Sequence, residues 1–388
     1  MRAGVSLLVA FMLLVTACDA PSRAHSKAGS PNPAGFSTDS PNPSDAASAG
    51  TSPEPTPITT TASDARTTPV TTIAGLSCRL PVAMDGQTPP AGFVSFPSGQ
   101  LRPDPSSQLR ETSGYVQVTV TRPVLDGDSE TPVYDWQLRR WVPVRSPQVV
   151  SPDGSAYVYT QEYGAGGAMF ANRLRIVSVA TGSDRLLYTG EFADAPIAWT
   201  NAGIYDVAIR FESPSSGLWL IDPVTGSART ITRTGDWRVI SNGAAWGFTG
   251  PAFGPTGEQP HTIDRLDLAT GKVTNWYSAP SPHNVHVAGL DTAGRPVIVV
   301  DQYHVFRLLG PYQAQAMFNS PVSLWYGIML QLDSHGLWFT SYDGDPREGT
   351  PLVSDVWLYS YATGLRKVKE ISSDYPIQAI TGIAGPCQ

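Results

Sequence analysis

The chain has 388 residues, a formal charge of −7 and only 15 % charged side chains, while glycine and proline number 36 and 35. An acidic balance without a run of lysine or arginine argues against nucleic-acid binding, which needs clustered cations to displace phosphate counterions. The abundance of turn formers points to a turn-rich all-β protein joined to a segment of low complexity, and the odd count of three cysteines asks for a role besides an internal disulfide.

Residues 1–17 carry Arg2, an apolar run from Val5 to Val15 and then small residues, the layout of a secretory signal peptide. The apolar run is too short to span a bilayer comfortably. Val15-Thr16-Ala17-Cys18 resembles the lipobox of bacterial lipoproteins. That resemblance implies a diacylglycerol thioether on Cys18, which becomes the mature N-terminus, and attachment to the outer face of the cytoplasmic membrane. Residues 18–75 are rich in Ser, Thr, Pro, Ala and Gly, and Ser30-Pro31-Asn32-Pro33 recurs as Ser40-Pro41-Asn42-Pro43. With no apolar periodicity to offset the entropy of ordering, this stretch is expected to be a disordered tether averaging roughly 40 Å end to end.

From residue 76 to 388 one phrase recurs. Short apolar strands end in Ala180-Thr181-Gly182, Val224-Thr225-Gly226, Ala269-Thr270-Gly271 and Ala362-Thr363-Gly364, their glycines 44, 45 and 93 residues apart. A repeat of about 40–45 residues built from short strands is the signature of a β-propeller blade. Each repeat resolves into four strands. The first ends in a turn such as Ser151-Pro152-Asp153-Gly154, where proline presets φ and glycine supplies a positive one. The second strands are expected at Ala156–Thr160, Ile204–Ile209, Ala244–Phe248, Pro296–Val300 and Leu337–Ser341. The third is the recurring phrase, and its Thr-Gly turn leads to the fourth. The fifth phrase has degenerated to His304–Gly310, and an earlier copy survives as Val133-Tyr134-Asp135-Trp136 turning into Arg140-Trp141-Val142. Segments are left over at both ends, Ile377–Ala384 and Cys78–Val82 with Gly92–Phe96. A ring closes when terminal strands complete one blade together and so remove its exposed edges. The expected fold is therefore an all-β propeller closed by N- and C-terminal strands, of six blades with seven left open. Closure brings Cys78 to Cys387 for a disulfide, consistent with an exported, oxidising setting.

Turn lengths distinguish the two ends of the blades. First-to-second and third-to-fourth connections are tight and stereotyped. Second-to-third and fourth-to-first connections are long and individual, and variable loops on a fixed scaffold are where binding tends to reside. The candidate binding face comprises Tyr163, Phe170, Phe253, Glu258, His283, Tyr342, Asp343 and Asp345. His283 and His286 resemble a metal pair, but residues three apart on a strand point to opposite faces. Gly164-Ala165-Gly166-Gly167 lacks the strand-to-helix context of a phosphate cradle, and Asp343-Gly344-Asp345 is only a fragment of a calcium loop. No nucleophile elbow and no triad stand out, so no catalytic residue, metal or cofactor is nominated. Strand tryptophans such as Trp199, Trp219, Trp246, Trp338 and Trp357 suit packing between blades.

Val150-Ser151-Pro152-Asp153-Gly154 with the strand that follows, and the Ala-Thr-Gly strand after it, resemble the repeats of TolB-like propellers. The resemblance covers most of residues 146–371 but rests on short turn motifs. It implies six blades and a role in protein–protein interaction in the cell envelope. Most blades lack the full Ser-Pro-Asp-Gly, and nothing matches the separate N-terminal domain of TolB. Leu332–Thr340 looks instead like one blade of streptogramin lyases, without a matching catalytic histidine elsewhere. The expectation is a monomeric envelope lipoprotein, held to the membrane by lipid on Cys18, whose irregular face binds a protein or glycan. The alternative is an extracellular propeller lyase or hydrolase.

Overall fold

The computed structural model describes residues 68–85, 89–108, 132–142, 147–163, 171–189, 193–209, 217–249, 260–280, 283–324, 330–343, 352–373 and 379–388. The chain divides into two units, Met1–Gly50 and Thr51–Gln388, and all described residues belong to the second. They form an all-β propeller whose helical content is two short 3-10 turns, at Pro105–Ser107 and Pro147–Val149.

Strands β1 (Arg79–Asp85), β2 (Ala91–Ser95) and β3 (Gln100–Pro103) form an antiparallel meander. A short ribbon follows, β4 (Val133–Asp135) with β5 (Arg140–Val142). The second blade holds β6 (Ala156–Tyr163), β7 (Ala171–Ser178) and β8 (Asp184–Thr189), with Val150 bridged to Tyr157 in the first-strand place. The third contains β9 (Ala193–Thr200), β10 (Gly203–Ile209), β11 (Leu218–Ile221) and β12 (Ala228–Thr232). The fourth contains β13 (Asp236–Ser241), β14 (Ala244–Phe248), β15 (Thr262–Asp267) and β16 (Val273–Ser278). The fifth contains β17 (Val285–Leu290), β18 (Pro296–Val300), β19 (His304–Gly310) and β20 (Gln313–Asn319). The sixth contains β21 (Gln331–Leu332), β22 (Leu337–Asp343), β23 (Leu352–Ser360) and β24 (Gly364–Ser373). Finally β25 (Ala379–Ile383) pairs antiparallel with β1 and supplies the first strand of the first blade. The expected closure by terminal strands is thus what forms. Of the seven sheets in the described residues, six are blades and the seventh is the two-stranded ribbon.

The recurring phrase owes its spelling to turn geometry. Gly182, Gly226, Gly271 and Gly364 all have φ between 67° and 73°, a region open to glycine at no steric cost. In three of these turns the glycine N–H returns to the carbonyl four residues earlier, as in Gly226 to Asp222 at 2.9 Å. Asp222 and Asp267 cap their turns by accepting backbone N–H bonds from Thr225 and Thr270, which hold both carboxyls below the usual range. The fifth blade diverges because β19 runs on to Gly310 and turns through Pro311-Tyr312, with Tyr312 at φ 57°. In every blade from the second to the sixth the third-to-fourth hairpin also carries a β-bulge, at Leu174, Leu218, Ile263, Val305 and Val356. Such bulges deepen the twist that a propeller blade needs.

Packing lies between sheets. Trp237 enters a cluster with Ala198, Tyr205 and Leu218 of the third blade, while Val239 and Trp246 pack against Val285, Val287 and Ile298 of the fifth. Phe318 and Val299 meet Phe339 and Trp357 of the sixth, and Trp338 and Val356 meet Leu80, Val94 and Ile380 of the first. Val133 and Val142 of the ribbon join Val150 and Val158, and Trp141 packs on Phe93. Trp246, Trp338 and Trp357 are buried, as blade packing requires; Trp199 packs at the edge of the second blade's cluster.

The described chain begins within the stretch expected to be tether. Thr71 N donates to Lys367 O (2.7 Å) on the outer strand of the sixth blade, and Ile73 and Leu76 join the apolar cluster there. The Lys367 ammonium is fully buried, 2.8 Å from Glu370 Oε2 and 3.5 Å from Asp355 Oδ1. At the closure Cys78 and Cys387 form the disulfide, 309 residues apart. Arg79 and Gln388 exchange backbone hydrogen bonds, and Asp333 accepts from Cys387 N (2.8 Å) and Trp338 Nε1 (2.7 Å). Loop entropy sets an upper limit of roughly 5–6 kcal/mol on the disulfide's contribution. Replacing both cysteines with serine is expected to lower unfolding stability in denaturant by up to that amount, and an unchanged midpoint would show that the strand pairing alone closes the ring.

Candidate functional site

Strand alternation places the second-to-third and fourth-to-first connections at one end of every blade. Of the residues proposed for that end from sequence, Phe170, Phe253, Glu258 and Asp345 lie outside the described residues. The backbone of Tyr163 ends β6 opposite Ala171, and those of Tyr342 and Asp343 end β22 opposite Ser354 and Val353. His283 is the one whose side chain is described, and it belongs to a defined constellation.

That constellation joins three connections around Asp301. The fifth blade passes from β18 to β19 through Asp301 and Gln302, at φ 50° and 66°. Two successive positive φ angles are normally the province of Asn-Gly or Gly-Gly hairpins, so these side chains hold a conformation their backbones disfavour. Their contacts supply the compensation. One Asp301 carboxylate oxygen receives His283 Nδ1, and the other accepts Asn284 N at 3.1 Å. Asp301 N in turn donates to Asn284 O (3.0 Å). Gln302 accepts Ser323 Oγ on its side chain (2.5 Å) and Leu324 N on its carbonyl (2.6 Å). The loops before β17 and after β20 are thereby fastened to one turn.

The fourth blade contributes from beside it. His261 Nδ1 donates to the carbonyl of His283 (2.5 Å), and Val285 N donates to Pro260 O (2.8 Å). A carbonyl can only accept, so His261 carries its proton on Nδ1; the carboxylate fixes the same tautomer on His283. Tyr277 lies buried nearby, its hydroxyl pKa raised by burial and further by the Asp301 charge. His283 is half exposed, at 47 % of its side chain, and Tyr303 is exposed at 41 %. Chemically the arrangement is an imidazole oriented by a carboxylate, a pattern able to accept or donate a proton at Nε2. Sequence inspection found His283 but missed Asp301, His261 and Gln302, because Asp-Gln carries no turn signal of its own.

His286 stands apart from His283. It is buried on β17, at 5 % exposure, and burial with the nearby Arg238 guanidinium holds its pKa down at about 3. Arg238 is itself paired with Asp236 at 2.6 Å. Among the described residues no three His, Cys, Asp or Glu side chains are grouped to hold a metal ion.

No protein-family model matches the chain, and no curated protein does. Solved structures of propeller proteins resemble it. An oligogalacturonate lyase in complex with manganese is 14 % identical over 59 % of this chain, with a TM-score of 0.39. TolB from Acinetobacter baumannii is 12 % identical over 58 %, with a TM-score of 0.38. An oligogalacturonate lyase from Vibrio parahaemolyticus is 10 % identical over 65 % of this chain and 74 % of its own, with a TM-score of 0.40. The chain spans 65 % of the first of these proteins and 53 % of TolB.

Two outcomes follow for solution measurements. The unfolded chain takes up the His286 proton near pH 6.5, whereas the folded one resists it down to about 3. This group's contribution is therefore complete above pH 6.5 and falls away below it, by about 2 kcal/mol at pH 5. His286→Gln should flatten that part of the stability profile; an acid limb unchanged by the substitution would assign it to other groups. Asp301→Gly keeps the left-handed turn and removes the carboxylate. It should leave stability within about 1 kcal/mol while the His283 ring loses its fixed orientation, read as averaged imidazole signals by NMR.

Proposed function

We propose that the chain is an exported lipoprotein, anchored through Cys18 to the outer face of the cytoplasmic membrane, whose propeller presents its irregular-loop face to a protein or glycan of the envelope. The observation that carries this reading is the asymmetry between the two ends of the blades. One end is built of repeated, internally capped turns. At the other, the Asp301 turn fastens individual loops in place, which lowers the ordering cost of binding a partner. The signal-peptide-like layout of residues 1–17, the resemblance of Val15-Thr16-Ala17-Cys18 to a lipobox and the Pro-rich stretch support the address.

A second reading is favoured by one observation, the His283–Asp301 pair at the same end. Under it the propeller is an extracellular lyase or hydrolase with His283 as proton-transfer group.

The first reading is tested by capture from detergent-solubilised membranes with the lipidated protein. Recovery of a specific envelope protein or glycan is expected. No partner, together with turnover in a substrate screen that His283→Ala abolishes, would replace it with the second. Cys18→Ser should move the protein from the membrane to the soluble fraction, and continued membrane retention would remove the lipid from the proposal.

A further inference from the structure

Asn242-Gly243 is the only Asn-Gly pair in the chain. It turns β13 into β14, at φ 49° and 70°, and both residues are exposed. A Cβ at Gly243 would meet nothing within 4 Å, so no neighbouring element packs against the side-chain face of this glycine. The Asn242 side chain is not idle. Its Nδ2 donates to Ala293 O at 3.1 Å and Gly294 O at 3.3 Å, in the first turn of the fifth blade. Ser241 Oγ donates to the same Gly294 carbonyl at 2.8 Å. A Cβ at Gly294 would lie 2.8 Å from Asn242 Nδ2, so the two turns are in close contact.

We propose that Asn242 is a site of spontaneous covalent modification, and that its conversion weakens the contact between the fourth and fifth blades. The Gly243 nitrogen gives up its proton to solvent base and bonds to Asn242 Cγ. The Cγ–Nδ2 bond breaks, and ammonia leaves with a proton from solvent. Water then opens the resulting succinimide at either carbonyl, giving aspartate or isoaspartate. The only co-reactant is water. The product places carboxylate oxygens where an amide had donated, facing the carbonyls of Ala293 and Gly294. Donor and acceptor become acceptor and acceptor, and the favourable contact becomes repulsive. Isoaspartate adds a further main-chain carbon to a two-residue turn whose length sets the β13–β14 register.

The full chain, kept folded in mildly alkaline buffer for weeks, is digested and mapped by mass spectrometry. Asn242 is expected to convert several-fold faster than Asn201, Asn275, Asn284 and Asn319, with part of the product as isoaspartate. Conversion no faster than at those sites overturns the proposal. Its second half is read from two variants that both suit the left-handed turn. Asn242→Asp should lower the unfolding midpoint by about 2 °C or more, and Asn242→Gly, which removes the donor without adding charge, by less. Equal midpoints for the two variants would overturn the inversion of the contact.

Discussion

The pairing of β25 with β1 is the interaction on which the rest depends. A sheet of β1, β2 and β3 alone would leave β1 with a row of unpaired backbone groups, and Trp338 and Val356 of the sixth blade would lose Ile380 from the apolar surface that covers them. The closing strand satisfies both at once. The disulfide and the Arg79–Gln388 pairing lie within a few residues of it, and the Asp333 carboxylate is tied to it through Cys387 N. Because each remaining blade packs on its neighbours rather than on a shared centre, a loosened closure would be felt around the ring.

Aspartates hold turns at both ends of the blades. At the repeated end, Asp153, Asp222 and Asp267 turn inward on their own loops and accept N–H bonds from two or three residues ahead. The backbone N–H of Ser155 helps hold the Asp153 carboxyl at about 2. These carboxylates are occupied by local structure. At the irregular end Asp301 reaches outside its turn to a histidine on another connection and tolerates a left-handed backbone to do so.

Much of the architecture was legible because the propeller repeats its turns. The expected strands Ala244–Phe248, Pro296–Val300 and His304–Gly310 match β14, β18 and β19 at both ends, since proline, glycine and β-branched residues mark such boundaries locally. The terminal closure and the Cys78–Cys387 bond were also accessible, as they follow from leftover strands in a ring. The ribbon was visible only as a blade fragment, and its two described strands remain short of a blade. The site was far less legible. His283, Asp301 and His261 are separated by up to 40 positions, and no local rule links a histidine before one strand to an aspartate after the next. The β17–β18 pairing brings His283 to Asp301, and the stacking of the fourth blade on the fifth adds His261.

Closure by the C-terminal strand also imposes an order in time. The first blade is begun by residues 79–103 and completed by residues 379–383. A chain emerging from its N-terminus has to make and deliver nearly all of itself before its earliest sheet can be finished. Contacts across so long a separation form late. Until β25 arrives, β1 keeps one edge unpaired.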